Sequence, residues 1–120
     1  MDERQALSAF AALSQETRLR VVQLLVQAGP GGMAAGAVAD AAGVSASNVS
    51  FHLKELTQAG LATARRDARS IFYAADYGVL SGLIAFLMRD CCQGRPEVCA
   101  PALLALSDCA CEPVQEVANA

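Results

Sequence analysis

The sequence has no tryptophan, one histidine, four phenylalanines and two tyrosines. With aromatics this scarce, runs of β-branched residues few and alanine abundant throughout, the composition favours a mostly helical domain over an all-β one. It also lacks a long apolar run. The longest, Val79 to Met88, is interrupted by Ser81 and Gly82 and is too short to span a bilayer. The N-terminus opens Met-Asp-Glu-Arg, without the basic-then-apolar layout of a secretory signal, so a cytoplasmic location is expected. Charged residues make up 18% against 54% hydrophobic, which excludes a disordered tail. At 120 residues the chain is too short for two independent cores.

There is no surplus of positive charge: nine basic and twelve acidic residues give a formal net charge of −3. The imbalance is local. Asp90, Glu97, Asp108, Glu112 and Glu116 face Arg95 alone over 90–120, so the preceding body is close to neutral and can still carry a basic patch. Cysteine is likewise absent up to residue 90 and then appears five times, as Cys91, Cys92, Cys99, Cys109 and Cys111. An odd count in a cytoplasmic chain points away from a disulfide framework and towards metal, metalloid or redox chemistry.

What is present reads as alternating helices and turns. Ala6 to Leu13 forms a first helix, and Ser14 is placed to cap a second, with Leu19, Val22, Leu25 and Val26 expected along its buried stripe. Gly29-Pro30-Gly31-Gly32 ends it. A small-residue helix, Ala34 to Ala42, closes at Gly43. Ser45 caps a further helix running to about Ala59, with Val49, Leu53 and Leu56 on one face and a stop at Gly60. Short helix, glycine turn and capped second helix make a helix-turn-helix. The period then changes to that of strands, Leu61 to Arg66 and Ser70 to Ala75, with Asp67-Ala68-Arg69 turning between them: a wing, carrying Arg65, Arg66 and Arg69 near its tip. Asp76 can cap a last helix in which Leu80, Leu83, Ile84, Leu87, Met88, Cys91 and Cys92 keep helical spacing along one apolar face, until Gly94 and Pro96. The expected fold is mostly α with a small β-wing, a winged helix-turn-helix over 1–96, followed by a cysteine-containing tail over 97–120.

Ser14-Gln-Glu-Thr-Arg-Leu-Arg-Val-Val-Gln-Leu-Leu25, Val38-Ala-Asp-Ala-Ala-Gly-Val-Ser45 and Val49-Ser-Phe-His-Leu-Lys-Glu-Leu-Thr-Gln-Ala-Gly-Leu61 resemble the ArsR/SmtB group across about residues 5 to 90. The resemblance implies a transcriptional repressor that binds operator DNA as a homodimer, pairs through its first and last helices, and is released by metal ions. It also implies where ligands are absent. Arsenic-responsive members carry cysteines near the third helix, where this chain has Gly32-Met-Ala-Ala-Gly36. Zinc-responsive members carry His and Asp/Glu on the last helix, whereas His52 lies elsewhere. The C-terminal thiols remain, similar to arsenic-responsive members with a vicinal pair ending the last helix and a third cysteine a few residues on.

On the helix after Gly43, Ser47, Asn48, Ser50, Phe51 and Lys54 lie off the apolar face, where side chains can reach base edges and phosphates, against the plainer reading that Ser45 and Ser47 only cap and Lys54 is solvated. Ser45 is added at its start, and His52, bordering Leu53, reads equally as a packed or phosphate-contacting residue or as a base reader. Arg65, Arg66 and Arg69 are candidates for phosphate or minor-groove contact, against the plainer reading of a solvated hairpin tip. Thiolates are soft ligands, and three of them without imidazole suit trivalent arsenic or antimony. Cys91, Cys92 and Cys99 form the first candidate set and Cys109 with Cys111 a second; methylated trivalent arsenic needs only two thiols. The competing readings are core packing of the vicinal pair and a thiol redox switch through Cys92–Cys99 or Cys109–Cys111 on the same fold. An enzyme such as a thiol-dependent arsenate reductase is disfavoured. No anion-binding loop precedes a helix beside any cysteine, and no histidine is available there as base.

Overall fold

The computed structural model describes residues 1–88, which form α1 (Glu3–Leu13), α2 (Glu16–Ala28), β1 (Met33–Ala34), α3 (Ala35–Ala42), α4 (Ala46–Gln58), β2 (Ala62–Asp67), β3 (Ser70–Ala75) and α5 (Tyr77–Met88). The strands make one antiparallel sheet in the order β1-β3-β2. The boundary expected at 96/97 and all five cysteines lie outside the described residues.

Local chemistry sets the helix starts. Asp2 and Gln5 exchange side-chain-to-backbone hydrogen bonds at 2.8 Å each, a capping box that begins α1 three residues earlier than expected. Ser14 ends α1 instead of opening α2: its hydroxyl donates to the Ala11 carbonyl, and the side chain of Gln15 accepts from the Arg18 amide as the N-cap of α2. Asp76 caps α5 as expected, its carboxylate accepting from the Val79 amide at 3.0 Å.

The core is built from Val21, Leu25, Val38, Val49, Leu53, Leu56 and Leu61, all fully buried. Each such side chain contributes roughly 1.5–3 kcal/mol relative to exposure. The buried side of α2 is Val21, Val22 and Leu25, while Leu19 and Val26 are 48% and 42% exposed. The two exposed residues sit seven apart, on a flank roughly 100° round the helix from the core-facing line. α1 packs through Ala6, Ala9 and Ala12, small enough to bring its backbone close, and leaves Leu7 outside. α5 divides what the sequence presents as one apolar stripe. Leu83 is buried, Val79, Leu80 and Phe86 pack partly against the core, and Ile84 and Leu87 are exposed.

β1 is a two-residue strand that the sequence pattern does not announce. Met33 pairs with Tyr73 and Ala34 with Phe72, so the third helix starts one residue later than expected. Gly32 makes this pairing feasible. Its φ is +79°, and a Cβ there would run into the Tyr73 carbonyl. The wing hairpin pairs Asp67 with Ser70, leaving Ala68 and Arg69 as its connection. Ala68 takes φ +57°, the left-handed region where a Cβ is unfavourable by roughly 1–2 kcal/mol. Ala68→Gly is therefore expected to raise the free energy of unfolding by about 0.5–1 kcal/mol, after the larger unfolded-state entropy of glycine is subtracted. Urea denaturation checks it: a higher midpoint at unchanged slope is expected, and a lower midpoint would show that the hairpin holds Ala68 without strain.

Candidate nucleic-acid interface

α3 and α4 are joined by a glycine turn. Gly43 adopts φ +72°, and its amide and that of Val44 donate to the Ala39 carbonyl at 2.9 and 3.1 Å. The chain leaves this turn extended at Ser45, whose hydroxyl accepts from the Asn48 amide at 3.1 Å and starts α4. Val49, Leu53 and Leu56 point inward at helical spacing, as expected. Their burial fixes the rotation of the helix. Ser47, Asn48, Ser50, Phe51 and Lys54, with Ser45 at the cap, are all exposed. The outward face thus carries hydroxyls, one amide, one cation and one aromatic ring.

His52 differs from the rest of that set. It is 7% exposed, and its Nδ1 lies 3.2 Å from a guanidinium nitrogen of Arg18. Arg18 can only donate, so Nδ1 accepts and the neutral ring carries its proton on Nε2. Arg18 also donates through Nε to the Ala12 carbonyl at 2.7 Å, spanning α1, α2 and α4 with one side chain. The structure packs His52 inward against Arg18, which counts against a base reader. Phe51 meets its ring edge-to-face, with centroids 5.3 Å apart and planes at 67°. Burial, and then the positive charge of Arg18, hold the His52 pKa below its ordinary 6.5, opposed by Glu55. Arg18 was not among the residues singled out from the sequence. Its signal is a cation at the position one turn before Val21 and Val22, on the core side of α2.

The three wing arginines are not equivalent. Arg65 donates to the Gly31 carbonyl at 3.0 Å, lies 3.7 Å from the Asp67 carboxylate, and stacks over Phe72 at 5.1 Å. It ties the wing to the turn before β1. Arg66 and Arg69 are exposed and have no ion-pair partner among the described residues. Among those residues no group of three His, Cys, Asp or Glu could hold a metal ion, and no helix is long and apolar enough to cross a membrane. The candidate ligands Cys91, Cys92, Cys99, Cys109 and Cys111 lie outside them.

Residues 13–65 match a family described as a helix-turn-helix domain. Over 88 residues the chain is 33% identical to the HTH-type transcriptional regulator YgaV of Escherichia coli K12, spanning 73% of this chain and 87% of that protein. Among solved structures, an ArsR-like transcriptional regulator from Rhodococcus sp. RHA1 superposes with a TM-score of 0.67 at 28% identity, covering 85% of this chain and 93% of that one. A homodimeric winged helix-turn-helix DNA-binding domain from Mycobacterium bovis, described as a possible ArsR-family regulator, gives 0.60 at 29% identity over 71% and 76% of the two chains. A structure described as a possible transcriptional regulator for arsenical resistance gives 0.57 at 36% identity over 64% and 77%.

The Arg18–His52 contact carries a pH dependence of definite sign. Because the folded state lowers the His52 pKa, the unfolded chain binds the proton more readily. The stability this contributes is complete above about pH 6.5 and is lost as pH falls through the lowered value. Thermal melts of the wild type and of His52→Gln from pH 8 to pH 5 test this. The wild type should lose melting temperature relative to the variant below pH 6.5, the carboxylates being common to both. Parallel curves would show that His52 does not titrate against Arg18.

Proposed function

Because the chain belongs to the ArsR family of winged helix-turn-helix transcriptional regulators, we propose that it is a homodimeric repressor whose α4 reads operator DNA and whose C-terminal thiolates bind trivalent arsenic to release it. The observation that carries the DNA reading is the outward face of α4, with Ser47, Asn48, Ser50, Phe51 and Lys54 exposed above a buried Val49-Leu53-Leu56 seam. A helix presenting such a face suits the major groove, and Arg66 and Arg69 on the wing suit phosphates or the minor groove. Two copies would offer recognition helices about 34–36 Å apart to successive half-sites. The exposed Leu7 and Ile84 on α1 and α5 support pairing through those helices, as does the homodimeric Mycobacterium bovis relative.

The release step rests on donor chemistry. Cys91 and Cys92 follow α5 in sequence, and Cys99 comes seven residues after Cys92, beyond Gly94 and Pro96. Three soft thiolates make a donor set that fits trivalent arsenic or antimony in trigonal pyramidal coordination, and the structural relative described as a possible transcriptional regulator for arsenical resistance supports the assignment. Ligand binding near the end of the pairing helix would disfavour the DNA-competent dimer through a coupling of typically about 1–3 kcal/mol. The test is operator binding by fully reduced protein, with arsenite added. Release is expected for the wild type and its loss for Cys91→Ser, Cys92→Ser and Cys99→Ser. Release by peroxide alone would replace metalloid sensing with a thiol redox switch through Cys92–Cys99 or Cys109–Cys111.

The wing makes a separate prediction. Binding constants measured against salt should show a slope reduced by about 0.9 per lost phosphate contact, twice that per dimer, for Arg66→Gln and for Arg69→Gln. Arg65→Gln should change the slope less, since its guanidinium is engaged by Gly31, Asp67 and Phe72. Equal slopes for all three would show that the ties of Arg65 give way on DNA.

A further inference from the structure

We infer that Phe51 reads the 5-methyl group of thymine in the major groove, which makes it a sequence-discriminating residue of α4; this rests on the DNA-binding reading above. Phe51 is 55% exposed and is the large hydrophobic side chain left outside on α4 among the described residues. Its neighbours on that face, Ser47 and Lys54, stand at helical offsets of four and three residues, with Ser50 about 100° round the helix on the flank beyond them. The serines are too short to cover the ring, so the phenyl group is the projecting feature of the centre of the face.

A phenyl ring has no donor or acceptor to offer base edges. Of the groups the four base pairs present in the major groove, the thymine methyl is the apolar one. The ring is also oriented in advance. It rests edge-to-face on His52, which is buried and hydrogen-bonded to Arg18, and Arg18 is anchored on the Ala12 carbonyl. A side chain placed this way loses little freedom on binding, so its contact is converted efficiently into discrimination. Wedging between base steps belongs to minor-groove binders and stacking on bare bases to single strands. Neither suits a ring at the middle of a helix flanked by hydroxyls and a lysine.

Removal of the methyl group from the DNA tests the inference without altering the protein. Full-length reduced protein is used to select duplexes from a random pool, and every thymine of the enriched half-site is then replaced in turn by uracil. One or two adjacent positions should lose affinity about fourfold per half-site, the worth of burying one methyl-sized group. Phe51→Ala should bind the thymine duplex more weakly and no longer distinguish it from the uracil duplex, and Phe51→Leu should keep part of the distinction. Because Phe51 is about half exposed and its packing contact is the edge of His52, both variants should stay folded and lose at most a few degrees of melting temperature, and a fold that fails in either would contradict its placement. If a half-site is enriched but lacks a uracil-sensitive thymine, or if Phe51→Ala keeps the sensitivity, the inference falls and the DNA-binding reading stands. If no duplex is enriched, both fall together.

Discussion

The seating of α4 on the core by Val49, Leu53 and Leu56 is the constraint on which the rest depends. Helical geometry allows a side chain to be buried or presented, and burying these three at spacings of four and three residues leaves no freedom in what the opposite face shows. Removing one would cost more than its burial energy, because the helix would also lose the reference that aims Ser47, Ser50, Phe51 and Lys54. The same seam ties the reading helix to α2 and α3 through Val21, Leu25 and Val38, so stability and recognition draw on one set of contacts.

Arg18 adds a directional element to that apolar seating. Hydrophobic contacts fix distance but tolerate small rotations, whereas a guanidinium holding a carbonyl on α1 and a ring nitrogen on α4 fixes angle. The arrangement buries the His52 ring against a half-buried guanidinium, and it is favourable while the ring nitrogen stays satisfied. A neutral His52 satisfies it; a charged one would meet Arg18 as a like charge. α1 therefore contributes to aiming α4 even though it shows no residue on the candidate DNA face. If α1 also takes part in subunit pairing, as proposed above, one side chain links the pairing surface to the reading helix.

Much of this fold was legible in the residues. Gly43 and Ser45 define the turn and cap of the helix-turn-helix, and the change of period after Gly60 exposes the wing. What stayed hidden were features decided by partners distant in sequence. β1 is two residues long, too short to show a period, and exists because Gly32 lets Met33 and Ala34 approach β3. On α2 two apolar lines compete, Leu19-Val22-Val26 and Val21-Val22-Leu25. The packing of α1, α3, α4 and β3 against α2 selects the second, and no local propensity distinguishes them. The α5 stripe is continuous in sequence but splits in space, since one side faces the chain's own core and the other stays exposed. For the candidate site, the outward face of α4 was readable from the apolar seam opposite it. The inward turn of His52 and the tethering of Arg65 were not, because each depends on a group 34 residues away.

The acidic balance of the chain is compatible with a DNA-facing surface because electrostatic reach is short. At physiological salt a charge is screened within about 8 Å, so an anion sees the groups near it and not the net charge of −3. On the wing the nearest opposing carboxylate is Asp67, and Arg65 stands against it at 3.7 Å. Both groups are more than half exposed, so this pair adds little to stability. Its consequence is local: Arg65 and Asp67 cancel, and Arg66 and Arg69 remain as the uncompensated charges of the hairpin. A wing with the same three arginines but without Asp67 would carry more charge, yet it would lose one of the contacts that keep Arg65 folded back over Phe72. The Gly31 carbonyl, Asp67 and Phe72 together thus sort three chemically identical residues into one that holds the wing and two that are left to meet a phosphate.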